Sequence, residues 1–595
     1  MRVVSRIKLA SAILAATATA TSAALGEPKL GAYSDYERET VTAALLQVAG
    51  QVDDEPEGKV IEAVDVQVLD VIEERDPAPA ILNVLHCSTR RRIVERELLF
   101  GAGEPYEREL VLETERNLRA LRQHSLVTIV PLRGTRGDRV RVLVIAKDVW
   151  SLRLNSDYRI KGGALEYLLL QPAEENLFGT HQRVAAQFVF KPDTISFGAR
   201  YTEPRLGGSR LLLAAEANAI VNQATGDAEG TFGFFQYGVP LYSTRQRWAW
   251  GAVVTWRKEV SRRLVGTTLD AFEVDVDGKK VLVPFVYGSE AIAGRASVTR
   301  SFGTRFKHDV QLGVEVDRRY FDTHDIKGIE PRAVAEFTRE EVPRSVTRNG
   351  PYAQYHFYAN RFARLHDVET LGLEETFIAG PELYARIYPV AEAFGSTRDL
   401  LGAQGSFAAT AVFSDALVRG LVAGTVEARP DGGEVFDSAV QAGLRAVSPR
   451  VVVGRLTYDA TVGLRPDNLE NAQVTLGGEG RLRGYPSGAF RGANFIASNL
   501  EFRSRAFSLG TVQLGGALFY DVGDAFDAGS PIVPKQGAGF GLRLLFPQLG
   551  RALMRFDWGF PLTRGFAGAT AFDGLVITFQ QAYLMPSLAA AGIVR

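Results

Sequence analysis

From about residue 149 to 583 the chain passes through segment after segment in which apolar and polar residues alternate with a period of two. That period places successive side chains on opposite faces of an extended strand, so it limits the fold more than any other feature here. In RVVVGRLTYDATVGL, Val452, Leu456, Tyr458, Ala460 and Val462 share one face, and Arg455, Thr457, Asp459 and Thr461 take the other. RWAWGAVVTW sets Trp248, Trp250, Val254 and Trp256 together. RALMRFDWGF sets Met554, Phe556, Trp558 and Phe560 opposite Arg555 and Asp557, and VQLGVEV sets Val310, Leu312, Val314 and Val316 opposite Gln311 and Glu315.

A soluble β-sandwich alternates in the same way, so one strand decides nothing. Over the whole region, however, the polar faces carry charges and many glycines, as a wet lumen allows. The apolar faces carry Trp, Tyr and Phe suited to the girdles of a membrane barrel. About 435 residues, at about 10 per tilted strand plus turns and outer loops, predict an antiparallel transmembrane β-barrel of about sixteen strands, with fourteen or eighteen left open by the count. No later run of apolar residues is long enough for a transmembrane helix.

The first residues, MRVVSRIKLASAILAATATATSAALG, place Arg2, Arg6 and Lys8 before an apolar run from Leu9 and then small residues. This is the layout of a signal peptide over 1–24, with cleavage offered at Ala18-Thr19-Ala20 or Ser22-Ala23-Ala24. Residues 25–58 read as a helix, with Val41, Leu45 and Val48 on one face, and an acidic linker. Residues 59–148 then change period. A strand over 60–72 precedes helices over 89–100, with Thr89 as N-cap, and 107–124, with Leu110, Thr114, Leu118 and Leu121 on one face. Two strands around the turn RGTRGD close a βααββ unit, long enough for a small two-layer α+β domain.

Lys+Arg (68) and Asp+Glu (69) nearly cancel, so no global charge draws the chain to nucleic acid. The single cysteine, Cys87, cannot close an internal disulfide and is expected as a buried, inert thiol. No GxSxG elbow and no HExxH spacing occurs, and His86 falls in a loop. No enzyme, cofactor or metal is expected. The basic glycine stretch GGEGRLRGYPSGAFRG (477–492) could be a phosphate cradle, a nucleic-acid contact or a flexible loop. A dinucleotide-binding loop needs a helix N-terminus after it, and here a strand follows.

RLRGYPSGAFRGANFIASNLEFRSR resembles the signature loop and following strand of the BamA/TamA superfamily of outer-membrane assembly factors and polypeptide transporters. That family's aliphatic-Arg-Gly-aromatic motif is matched by Leu482, Arg483, Gly484 and Tyr485. A second motif, an aromatic, Asp, any residue and Gly at a strand end, is matched by Tyr520, Asp521 and Gly523. Residues 59–150 resemble one polypeptide-transport-associated (POTRA) domain, and EENLFGTHQRV resembles a stretch of the family's early strands. The resemblance implies a barrel over 149–583 in a Gram-negative outer membrane, with the POTRA-like domain in the periplasm.

It further implies that the loop, between the eleventh and twelfth strands, folds into the barrel and that acids on the next two strands hold its arginine. Parity checks this independently. Ile496, Leu500 and Phe502 share one face of the first of these strands, leaving Glu501 on the other, and Leu518, Tyr520 and Val522 likewise leave Asp521. With apolar faces toward lipid, Glu501 and Asp521 point inward. Arginine suits two such partners because its planar fork takes carboxylates in pairs and keeps its charge. Arg483, Gly484, Tyr485, Glu501 and Asp521 are therefore the candidate site, either a fixed brace or a latch that shifts during transport.

Two functions follow. In one, the protein inserts, assembles or translocates unfolded polypeptides without ATP. The POTRA-like sheet edge receives them by β-augmentation, and the first strand (about 149–160) and last (about 575–583) form a weak seam. In the other, the barrel is a passive channel or a structural barrel, which has no use for a βααββ module. Outer-membrane lipid is an expected partner, and periplasmic accessory proteins remain open. Two features depart from the family: only one POTRA-like unit occurs, and Tyr583 stands for the usual terminal aromatic before a tail over 584–595.

Overall fold

A computed structural model describes residues 33–76, 79–161, 164–265, 268–323, 326–468, 472–478, 481–486, 488–563 and 575–578. The expected leader, Tyr583 and the C-terminal tail lie outside the described residues.

The N-terminal part is built on a three-stranded sheet of β1 (Val60–Leu69), β2 (His124–Arg133) and β3 (Arg139–Asp148), ordered β1-β3-β2. β3 runs parallel to β1 and antiparallel to β2. Its alternate residues feed two different cores, so the middle of the central strand, Val142–Ala146, is continuously apolar rather than alternating. Val142 and Val144 meet Phe100, Tyr106, Val111 and Leu118, the last two from α3 (Arg108–Ala120). Leu143 and Ile145 meet Tyr36, Val41 and Ala44 of α1 (Asp35–Val48). Ser34 and Glu37 form a reciprocal capping box that starts α1.

The helix expected over 89–100 is a single turn, α2 (Arg91–Glu95). Thr89 does not cap it, because tertiary partners take its polar groups. Its N–H donates to Asp148 Oδ2 at 2.6 Å, and its hydroxyl accepts from Asn176 Nδ2 at 2.8 Å. Cys87 is half-buried rather than fully buried.

From Leu152 onward the chain forms one closed antiparallel barrel, in which Leu152–Lys161 neighbours Leu575–Thr578. Among the described residues the barrel has 21 segments, and Phe507–Leu509 continues Asn494–Ser504 along the same partner, which leaves twenty strands. The expected count of about sixteen is therefore corrected upward. That count assigned long outer loops throughout, whereas many strands are joined tightly, as Gln182–Phe190 and Thr194–Glu203 are. The outward residues include Trp248, Trp250, Leu312, Val314, Leu456, Leu500 and Leu518, an exposed apolar surface suited to lipid. No described helix is long and apolar enough to cross a membrane.

Both barrel mouths carry added structure. At the far end, the hairpin Ala271–Val276/Lys279–Pro284 packs on α4 (Pro331–Glu340) through Val283, Phe285, Ala333 and Phe337. The period-two reading beyond Trp150 did not anticipate this helix. At the near end, the N-terminal sheet and its helices sit against successive turns. Glu97 accepts from Arg205 at 2.6 Å and Arg210 at 2.9 Å, Glu113 accepts from the Thr244 hydroxyl at 2.8 Å, and Arg551 donates to the Ser125 carbonyl at 2.7 Å. A hairpin of Phe362–His366 and Glu374–Ile378 joins them, placing Leu371 and Leu373 in the α1 core and Leu365 and Val368 against Leu417 and Val447 of the wall.

Candidate functional site

Five barrel strands frame the site: β4 (Gly454–Asn468), β5 (Asn494–Ser504), β6 (Val512–Phe526), β7 (Lys535–Leu545) and β8 (Met554–Pro561). The arginine-bearing loop joins β4 to β5, the fifteenth and sixteenth barrel strands of the described chain, rather than the eleventh and twelfth. A short pair, Val474–Leu476 with Phe490–Gly492, forms its stem, and Gly478 N–H donates to the Tyr485 carbonyl at 2.9 Å across the tip.

Period-two alternation turns Glu501 of β5 and Asp521 of β6 inward, where both are buried. Arg483 is fully buried between them. Its Nε and Nη2 donate to the two oxygens of Asp521, each at 2.9 Å, and its main-chain N–H adds a third bond at 3.0 Å. Nη1 donates to Glu501 at 2.6 Å and to Asp557 at 3.0 Å. The guanidinium lies 3.5 Å above the centre of the Phe519 ring, a cation–π contact.

Asp557 and Phe519 are therefore site residues that the candidate set lacks. Both were open to the same parity reasoning: Asp557 stands on the polar face of β8, and Phe519 is two residues before Asp521. Asp557 was hidden by its distance along the chain, and Phe519 because only carboxylates were sought as partners for the arginine. The carboxylates are shared further. Arg543 reaches Asp557 at 2.5 Å and Glu501 at 3.3 Å, and Arg503 reaches Glu501 at 2.8 Å. Three buried acids thus face several arginines, which offsets the desolvation of each charge.

The wall under the loop is bare. β7 turns Gly537, Gly539 and Gly541 inward, and β8 turns Gly559 inward. A β-carbon on Gly537 would come within 2.5 Å of the Arg483 carbonyl oxygen. Gly484 has φ +100°, and a β-carbon there would approach Phe560 N at 2.8 Å. Glycine is required at this position for both backbone conformation and clearance. Tyr485 is fully buried, and its hydroxyl donates to the Gln536 carbonyl at 2.6 Å. Its ring meets Phe490 edge-on at 5.1 Å.

The loop also connects to the hairpin from the opposite mouth. Arg503, already bound to Glu501, donates to the Val368 carbonyl. Arg481 of the loop pairs with Asp459, which Arg445 also holds at 2.8 Å, and Arg445 stands 3.9 Å from Glu369 of the hairpin. The arrangement holds no nucleophile with an activating base. Among the described residues no His, Cys, Asp or Glu cluster is arranged for a metal. Its chemistry is that of a charge-paired clamp.

Residues 457–567 match the Omp85 superfamily domain, a span that contains the loop, its three carboxylates and all of β5 to β8. No curated protein matches the chain. Among solved structures it is similar to BamA from Haemophilus ducreyi lacking POTRA domains 1–3, at 10% identity over 87% of this chain and 83% of that one, with TM-score 0.31. It is similar to CdiB from Escherichia coli at 13% identity over 88% and 75%, with TM-score 0.40. The siderophore receptor PirA from Acinetobacter baumannii is similar at 10% identity over 80% and 82%, with TM-score 0.36. At such scores these likenesses carry no detail of the site.

Proposed function

We propose that the chain, which matches the Omp85 superfamily domain over residues 457–567, is a BamA/TamA-type outer-membrane β-barrel that inserts, assembles or translocates polypeptides there. One observation carries the reading: a loop arginine is held inside the lumen by acids from three separate strands, β5, β6 and β8. A passive pore needs an open lumen. Here a clamped loop enters from one mouth, and a hairpin backed by a small folded domain enters from the other.

In this reading the N-terminal sheet is a POTRA-like unit in the periplasm. Its edge strand β1 receives extended clients, since backbone pairing gives affinity without demanding a sequence. Arg483, Gly484, Tyr485, Glu501 and Asp521 act as a lumen latch, with Asp557 as an added partner. No step requires ATP; folding of the client supplies the free energy. Clients enter or leave beside the junction of Leu152–Lys161 and Leu575–Thr578.

Photo-crosslinkers placed in those two strands during export test this. Trapped polypeptides at both, lost when 59–147 is deleted, are expected. Absence of trapped polypeptide, together with solute conductance that survives the deletion, would assign the barrel to passive transport.

A further inference from the structure

Between Pro79 and His86 the chain carries no charged residue, reading AILNVL over Ala80–Leu85. This 3₁₀ turn leaves Ile81 72% and Val84 78% exposed. Two aliphatics three residues apart and so open to water are unusual on a domain most of whose large apolar residues fill two cores.

The turn is held at a defined height. The Asn83 side chain accepts from Ile72 N–H at 3.1 Å and donates to the Ile72 carbonyl at 2.9 Å, fixing it to the segment just after β1. The residues that follow are strapped to the foot of the barrel. Cys87 N–H donates to the Ser151 hydroxyl at 3.2 Å, Asn176 Nδ2 donates to the Cys87 carbonyl at 2.8 Å, and Arg90 N–H donates to the Gly179 carbonyl at 3.0 Å. On the other side, Gln548 donates to Asp76 at 2.6 Å.

These attachment points lie beside outward apolar residues of the barrel rim: Leu152 and Leu154 of the first strand, Phe178 in the strapped turn, and Leu549 next to Gln548. Ile81 and Val84 thus lie on a segment tied on both sides, at Asp76 and Cys87, to the barrel end that carries these apolar residues. We propose that the turn at 80–85 inserts Ile81 and Val84 among phospholipid acyl chains in the leaflet at the domain's end of the barrel. The small domain is then moored to the membrane as well as to the barrel. Charge-free aliphatic side chains at an interface gain from such burial, and an uncharged turn with Asn83 internally bonded brings no charge into the lipid.

This inference rests on the chain being a membrane-spanning barrel, and the experiment separates the two. In full-length protein carrying Cys87→Ser, single cysteines at Ile81→Cys or Val84→Cys are labelled with a nitrobenzoxadiazole fluorophore. The protein is reconstituted in phosphatidylcholine vesicles containing a lipid nitroxide near the acyl surface. Leu154→Cys serves as the lipid-facing reference and Arg136→Cys, in the exposed β2–β3 turn, as the aqueous one. Positions 81 and 84 should be quenched by nitroxide to within about twofold of position 154 and should be several-fold less open to iodide than position 136. Iodide access equal to position 136 without nitroxide quenching overturns the proposal, as does a disulfide-linked dimer through position 81, which would assign the patch to a second copy. Failure of position 154 itself to meet the nitroxide would overturn the barrel reading instead.

Discussion

A β-carbon on Gly559 would fall on the main-chain nitrogen of Gly484, so the loop and the barrel wall touch backbone to backbone. Gly559→Ala therefore pushes the loop off its seat without altering any charge. Overpacking of this kind costs about 1–3 kcal/mol. Higher single-channel conductance and new trypsin cleavage at Arg481, in barrels that still close, are the expected result.

Arg483→Ala leaves Glu501, Asp521 and Asp557 buried with fewer cations. Removing one partner of a buried ion pair costs about 3–5 kcal/mol, which the urea midpoint in vesicles reads directly. Arg483→Lys should fall between that variant and the parent, because a point charge cannot take the Asp521 oxygens with a planar fork. Adding Asp521→Asn to Arg483→Ala should recover part of the loss. Equal stability of all three variants would show that the cluster does not hold the loop.

Arg503 touches both Glu501 of the latch and the Val368 carbonyl of the near-end hairpin. Residues within one network show non-additive energies of about 0.5–3 kcal/mol. A double-mutant cycle of Arg503→Gln with Arg483→Lys should show coupling in that range, and additive losses would mean that the two mouths act independently.

The seat of α1 is pH-dependent. Burial alone would raise the Glu37 carboxyl, but His366 at 3.2 Å and the Glu374 N–H lower it to about 2. Burial opposes charge on His366, yet Glu37 raises it overall. Burial and nearby Glu369 push Glu375 up to about 7, against N–H donors from Val368 and Glu369. The Glu37 contribution is complete above 4.5 and is lost as pH falls through about 2. The His366 contribution is complete below 6.5 and is lost as pH rises through its raised value. Glu375 adds a penalty as pH rises from 4.5 to about 7. Glu37 and His366 both contribute fully between pH 4.5 and 6.5, and the growing Glu375 penalty makes the docking of α1 firmest at the acid end of that window, near 4.5. A spin label at Leu46→Cys, in Cys87→Ser protein, should gain mobility above that window, and His366→Gln should remove much of the change.

Alone, the sequence determined what is local. Alternation in segments such as 454–462 and 512–522 makes strands and sorts their side chains, because period two is a property of extended backbone itself. The faces on which Glu501, Asp521 and Asp557 stand were legible for that reason, as was the change of period near Trp150. Strand number was not, since it depends on how tightly each turn closes. The short α2 was not legible either, because Asp148 and Asn176 claim the groups of Thr89 from far along the chain. Only the closed barrel decided which acids meet Arg483. β5, β6, β7 and β8 are successive strands of its wall, whose curvature over the glycine-floored β7 turns the acids 18, 38 and 74 residues from the arginine toward one point. The meeting of the two inward-folded segments at Arg503 and Arg445 was likewise settled by the lumen, where buried charges must find partners wherever the fold supplies them.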